Sequence, residues 1–165
     1  MPKIPKRTQE EVIEIFEKLD RNYDQTIDED EFVKGMKQVF NVTEKDNIFM
    51  CGFFLVAMFK LSDESGLFKL KDGILDLKEI THLLDCVPNP LEEDPLTNIG
   101  ITLFNVLDRN HSGNINKREF KKYAVATRMP EHVIERKMKE IDTDGNGKIS
   151  LNEFLTWMKE TASQN

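Results

Sequence analysis

The stretch DTDGNGKISLNE at 142–153 sets acidic, amide and hydroxyl side chains at alternating positions around one glycine turn, and a glutamate closes it. Two more stretches, DRNYDQTIDEDE at 20–31 and DRNHSGNINKRE at 108–119, align with it without gaps. Each follows an amphipathic segment ending in Leu or Ile, and each is followed by one beginning near a phenylalanine: Phe32, Phe120 or Phe154. The repeat is therefore helix, twelve-residue loop, helix.

Working outward, Thr8 and Glu11 make a capping-box pattern ahead of Val12, Ile15, Phe16 and Leu19 on one helical face. Phe32, Val33, Met36, Val39 and Phe40 follow the first loop, and the third leads into a short helix, about Lys117 to Ala126. Pro130 suits the first turn of a helix that turns Ile134, Met138 and Ile141 inward. The last helix presents Leu151, Phe154, Leu155 and Met158. The apolar run IFMCGFFLVAMF at 48–59 is too short to span a bilayer, which takes about 20 residues, and reads as a core helix. Three prolines in VPNPLEEDP mark 87–95 as a linker between an N-terminal pair of units, 1–86, and a C-terminal pair, 96–165. A helix from Leu96 to Leu107 then runs into the third loop.

The N-terminal pair requires a second loop, and FKLKDGILDLKE at 68–79 fills the place. Asp72, Gly73, Asp76 and Glu79 hold its fifth, sixth, ninth and twelfth positions, but Phe68 and Leu70 occupy the first and third. This unit is expected to keep its fold, pairing Leu75 with Ile27, and to have lost its site.

The alternating oxygens match the needs of Ca2+, a hard cation taking about 6–8 oxygen ligands at roughly 2.3–2.6 Å. A loop of this length supplies them from positions 1, 3 and 5, the carbonyl of 7, position 9 and a bidentate glutamate at 12, with a left-handed turn at 6. The fourth loop thus offers Asp142, Asp144, Asn146, the Lys148 carbonyl, Ser150 and Glu153, with Gly147 at the turn. The third offers Asp108, Asn110, Ser112, the Asn114 carbonyl, Asn116 and Glu119, with Gly113 at the turn. Only Asp108 and Glu119 there are carboxylates, so weaker binding is expected, and His111 at position 4 points away from the ion. The first offers Asp20, Asn22, Asp24, the Thr26 carbonyl, Asp28 and Glu31, but has Gln25 where glycine is expected. A side chain in the left-handed region costs about 1–2 kcal/mol.

These loops and their flanking helices resemble the EF-hand family over about Thr8 to Thr161, as four units. The resemblance implies an all-α fold: two paired lobes with short β-ribbons between paired loops. It also implies reversible binding of about three Ca2+, with Mg2+ as a competitor. Active first, third and fourth loops with a dead second resemble the sarcoplasmic calcium-binding proteins and the coelenterazine photoproteins. The chain departs from both in ending soon after the last loop, and its one tryptophan, Trp157, is too little for a light-emitting cavity. The preferred function is a calcium sensor that changes conformation to engage a protein target, through a groove lined by methionines such as Met36, Met50, Met58, Met129, Met138 and Met158. The alternative is a cytosolic calcium buffer of the sarcoplasmic type.

Bulk properties agree with this. With 39% hydrophobic and 32% charged residues the chain is a soluble, folded one. A formal charge of −7 argues against nucleic acid and anionic membranes as partners. The opening MPKIPKR lacks a signal-peptide core, and Pro2 excludes N-myristoylation. Two cysteines, Cys51 and Cys86, read as small buried hydrophobes in a reducing, cytoplasmic setting. His82, His111 and His132 are scattered, no nucleophile motif appears, and no enzyme is expected.

Overall fold

Five helices of the protein begin with the same device. At Thr8, Asp28, Asp76, Asn116 and Ser150 a side chain accepts from the backbone three residues on, and a glutamate there reaches back to the cap N–H. The computed structural model describes residues 6–63 and 73–164. In chain order these form α1 (Gln9–Leu19), β1 (Ile27–Asp28), α2 (Glu29–Val39), α3 (Ile48–Ser62), β2 (Ile74–Leu75) and α4 (Leu77–Leu84) in the first half. The second half holds α5 (Pro95–Leu107), β3 (Asn114–Ile115), α6 (Lys117–Ala126), α7 (Glu131–Ile141), β4 (Ile149–Ser150) and α8 (Leu151–Ser163). None of these helices is long and apolar enough to cross a membrane.

The four strands make two antiparallel ribbons, one per half. Ile27 stands opposite Leu75 in the first, and Ile115 opposite Ile149 in the second. All four side chains are fully buried, which is what the aliphatic eighth position of each loop is for. Each half is thus a pair of helix–loop–helix units joined loop to loop, as the repeats predict.

The halves are not held apart by the proline-rich segment. Helix α3 is apolar on nearly every side, and such a helix folds only where all its faces are covered. It lies between α2 of its own half and α5 and α6 of the other. Phe54 meets Trp157 edge to face with ring centroids 6.2 Å apart, and Asn47 Nδ2 donates to Ala162 O at 2.7 Å. Met36, Met50, Met58, Met138 and Met158 are buried in this common core, rather than lining an open groove.

Two proline positions differ from expectation. Pro95 does not end the linker but opens α5 as its first residue, with Asp94 as the cap accepting from Leu96 N. Pro130 precedes α7 instead of entering its first turn, because its ψ of 140° is extended, not helical.

Candidate metal centre

At the fourth loop, one carboxylate oxygen each from Asp142, Asp144 and Glu153 lie within 4.8 Å of one another. Two ligands on opposite sides of one calcium ion are separated by about 5 Å, so this spacing suits a shared cation. The backbone winds around the same carboxylates. Asp142 accepts from Asn146 N at 3.1 Å and Gly147 N at 2.8 Å, and Asp144 accepts from Asn146 N at 3.0 Å. Glu153 Oε1 takes Thr143 N at 2.8 Å, while Oε2 takes Ser150 N at 2.8 Å. Burial alone would raise the Glu153 carboxyl, but the Ser150 N–H and hydroxyl, the Thr143 hydroxyl and the Asp144 N–H outweigh it and hold it at about 2.

The first loop repeats this geometry. Asp20 accepts from Asp24 N at 3.1 Å and Gln25 N at 2.9 Å, and Glu31 Oε1 accepts from Arg21 N and Asn22 N. Asp24 is held below the usual carboxylate range by the Thr26 hydroxyl, 2.6 Å away, with help from the Thr26 N–H. Asp28 caps α2 through Glu31 N at 2.8 Å.

The third loop differs at its start. Asp108 accepts from Ser112 N at 2.9 Å and Gly113 N at 2.7 Å, as its counterparts do. Arg109 N, however, donates to Leu107 O rather than to the closing glutamate. Glu119 keeps only the bond from Asn116 N at 3.0 Å, the counterpart of that from Ser150 N to Glu153, and Asn116 accepts from Arg118 N and Glu119 N. The Ser112 hydroxyl donates to Asn114 O at 2.9 Å, joining two expected ligand groups.

Five of the carboxylates at the ends of these loops are sequestered: Asp20, Glu31, Asp108, Glu119 and Glu153 are buried, with Asp142 half-buried. Among the described residues no lysine or arginine side chain pairs with any of them. Withdrawing carboxylates from water is costly without a compensating charge. The donor set is all oxygen, without nitrogen or sulfur, which suits Ca2+ or Mg2+ over softer ions.

Of the second loop, Phe68, Leu70 and Asp72 lie outside the described residues. Its later part keeps the local geometry: Gly73 has φ of 79°, and Asp76 accepts from Glu79 N at 2.8 Å while Glu79 reaches back to Asp76 N at 3.1 Å. Asp76 and Glu79 therefore have a structural role as a helix cap.

One feature escaped the sequence reading. Position 4 of the first, third and fourth loops is also left-handed, with φ of 60° at Tyr23, 53° at His111 and 70° at Gly145. At position 6 the values are 68° at Gln25, 78° at Gly113 and 78° at Gly147. The first loop thus places two side-chain-bearing residues in a region that disfavours them, the third one and the fourth none. Tyr23 is 83% exposed, so no packing compensates there.

Residues 101–159 match the family model described as an EF-hand domain pair. The second half thus carries an EF-hand domain pair. The calcium-binding allergen Ole e 8 of Olea europaea is 26% identical over 157 residues, covering 94% of this chain and 85% of that protein. The calcium-binding protein CML19 of Arabidopsis thaliana is 27% identical over 96 residues, 57% of this chain and 56% of that one. Among solved structures, the Ca2+-loaded apoprotein of the photoprotein berovin from the ctenophore Beroe abyssicola is 16% identical, with a TM-score of 0.42. That alignment spans 94% of this chain and 87% of the other.

Proposed function

We propose that this chain is an EF-hand protein throughout and binds three Ca2+ reversibly, one each in the loops at 20–31, 108–119 and 142–153, with Mg2+ as a competitor. The observation that carries the reading is the set of five sequestered carboxylates at the loop ends, left without a cationic side chain among the described residues. Each ion is held by the oxygens of positions 1, 3, 5, 7, 9 and 12. When bound, the ion supplies the missing positive charge; the chain supplies the preset curve of backbone that aims oxygens inward. The two relatives whose names call them calcium-binding are consistent with this. The reading assigns no catalytic residue.

Between a buffer and a sensor, the geometry favours the buffer. The methionines that a target groove would need are buried in a core shared by both halves, so opening one half would disturb the other. The sensor reading draws support from Phe49, 74% exposed, and Phe53, 40% exposed, one helical turn apart on α3. The free thiols of Cys51 and Cys86 suit a reducing, cytoplasmic compartment.

Calorimetric titration of the metal-stripped protein tests the sites. Three ions are expected, and Glu31→Gln, Glu119→Gln and Glu153→Gln should each remove or cripple one. No uptake at millimolar calcium would overturn the reading. A dye for exposed apolar surface, followed through the same titration, should stay flat for a buffer; a steep rise would establish the sensor.

A further inference from the structure

We propose that the segment between the halves is a clamp that makes calcium binding in one half strengthen binding in the other. This rests on the three-ion reading above. The segment is stitched to both sides. From the first half, Arg7 lies one residue ahead of the Thr8 cap of α1, the helix that runs directly into Asp20. Its guanidinium spreads over three carbonyls at the end of α4 and beyond: Nη1 donates to Leu84 O at 2.7 Å and Val87 O at 3.2 Å, and Nη2 to Pro88 O at 3.4 Å. A cation is well placed at a helix C-terminus, where unsatisfied carbonyls gather.

From the second half, α5 takes hold of the next few residues. Asn105 Nδ2 donates to Cys86 O at 3.0 Å. Asn98, fully buried, exchanges two bonds with Glu92: its Nδ2 donates to Glu92 O and its Oδ1 accepts from Glu92 N, both at 2.8 Å. Helix α5 in turn runs directly into Asp108. The helices that enter the first and third loops are therefore fastened to one short piece of backbone, at 84–92.

On this proposal the arrangement has two states. The guanidinium either spans the three carbonyls, fixing α1 against the α4 end, or it is solvated and α1 is held to that end by helix packing alone. An ion in the first loop fixes Asp20 and so the C-terminal end of α1, which favours the engaged state. The engaged state holds the backbone against which α5 sets Asp108. Coupling of this kind requires a contact that both sites bias, and here that contact is the Arg7 fork.

The test is a double-mutant cycle on the full chain, read by calcium titration. Glu31→Gln, which disables the first loop, should weaken the two C-terminal sites by about fivefold, the lower end of usual coupling strengths. In an Arg7→Met background the same substitution should leave those sites within about twofold of Arg7→Met alone. Arg7→Met by itself should still bind three ions. Arg7→Lys, which keeps the charge but not the fork, should retain only part of the coupling. Far-ultraviolet circular dichroism checks that each variant folds; if Arg7→Met does not, Asn105→Leu takes its place. An equal effect of Glu31→Gln in both backgrounds, or no effect in either, overturns the clamp. A wild-type stoichiometry of two, without the first loop, would instead overturn the three-ion reading.

Discussion

Leu19 lies so close over Gly35 that a Cβ on the glycine would stand 2.0 Å from Leu19 Cδ2. Leu19 is the last residue of α1 and Gly35 sits within α2, so this contact sets how tightly the helices flanking the first loop close. Leu19 is 1% exposed and has no open space to swing into. Gly35→Ala should therefore cost stability: overpacking of about 1–3 kcal/mol, offset by up to about 1 kcal/mol of helix propensity. Gly52, within α3, is a control, because its added Cβ would meet only the end of the Lys37 side chain, Nζ at 3.7 Å and Cε at 3.9 Å. Gly52→Ala should be stabilising by up to about 1 kcal/mol, and urea unfolding reads both signs.

Affinity at the first loop should respond to its two left-handed residues. Gln25→Gly removes about 1–2 kcal/mol of strain, roughly a tenfold gain in affinity at that site. Tyr23→Gly should give a similar gain, since the ring is exposed and loses no packing. A titration resolved by site, for example by amide shifts, should show no tightening at the other two loops.

Asp76 and Glu79 should behave as a cap, with no part in binding metal. Asp76→Ala removes a capping acceptor and should cost about 0.5–2 kcal/mol of stability. Calcium stoichiometry should not change. A lost ion would reassign these two residues as ligands.

The two thiols should be slow to react at neutral pH. Burial pushes both up to about 11, with the carboxylates of Asp46 and Asp94 adding to the effect at Cys51 and that of Asp85 at Cys86. Alkylation by iodoacetamide at pH 8 should be much slower in the folded protein than in urea. The unfolded thiols ionise near their ordinary value, before the folded ones. Their contribution to stability is therefore complete below about pH 8.5 and is lost as pH rises through 11. An unfolding free energy that stays level from pH 8 to 11 would contradict this.

Much of this was legible because it is local. Thr8 with Glu11, the twelve-residue repeats, and aliphatic Ile27 or Ile149 at position 8 each fix structure within a few residues, and the helices and ribbons follow. The left-handed turn at Gln25 was expected from its register, whereas that at Tyr23 was not, because tyrosine carries no turn signal of its own. The shared core was illegible for a different reason. Nothing local in the run 48–59 tells which helices will cover its many apolar faces, and Phe54 finds Trp157 far along the chain. The role of Arg7 depends equally on carbonyls distant in sequence.

The ribbon between Ile27 and Leu75 has an evolutionary corollary. A unit that stops taking up an ion becomes free to lose its acidic residues, but not its strand, since its neighbour would then be left with unpaired backbone and a stranded isoleucine. Drift can erase the chemistry of one member of such a couple while geometry forbids excising it. The three working loops proposed for this four-unit scaffold are what that asymmetry would leave behind.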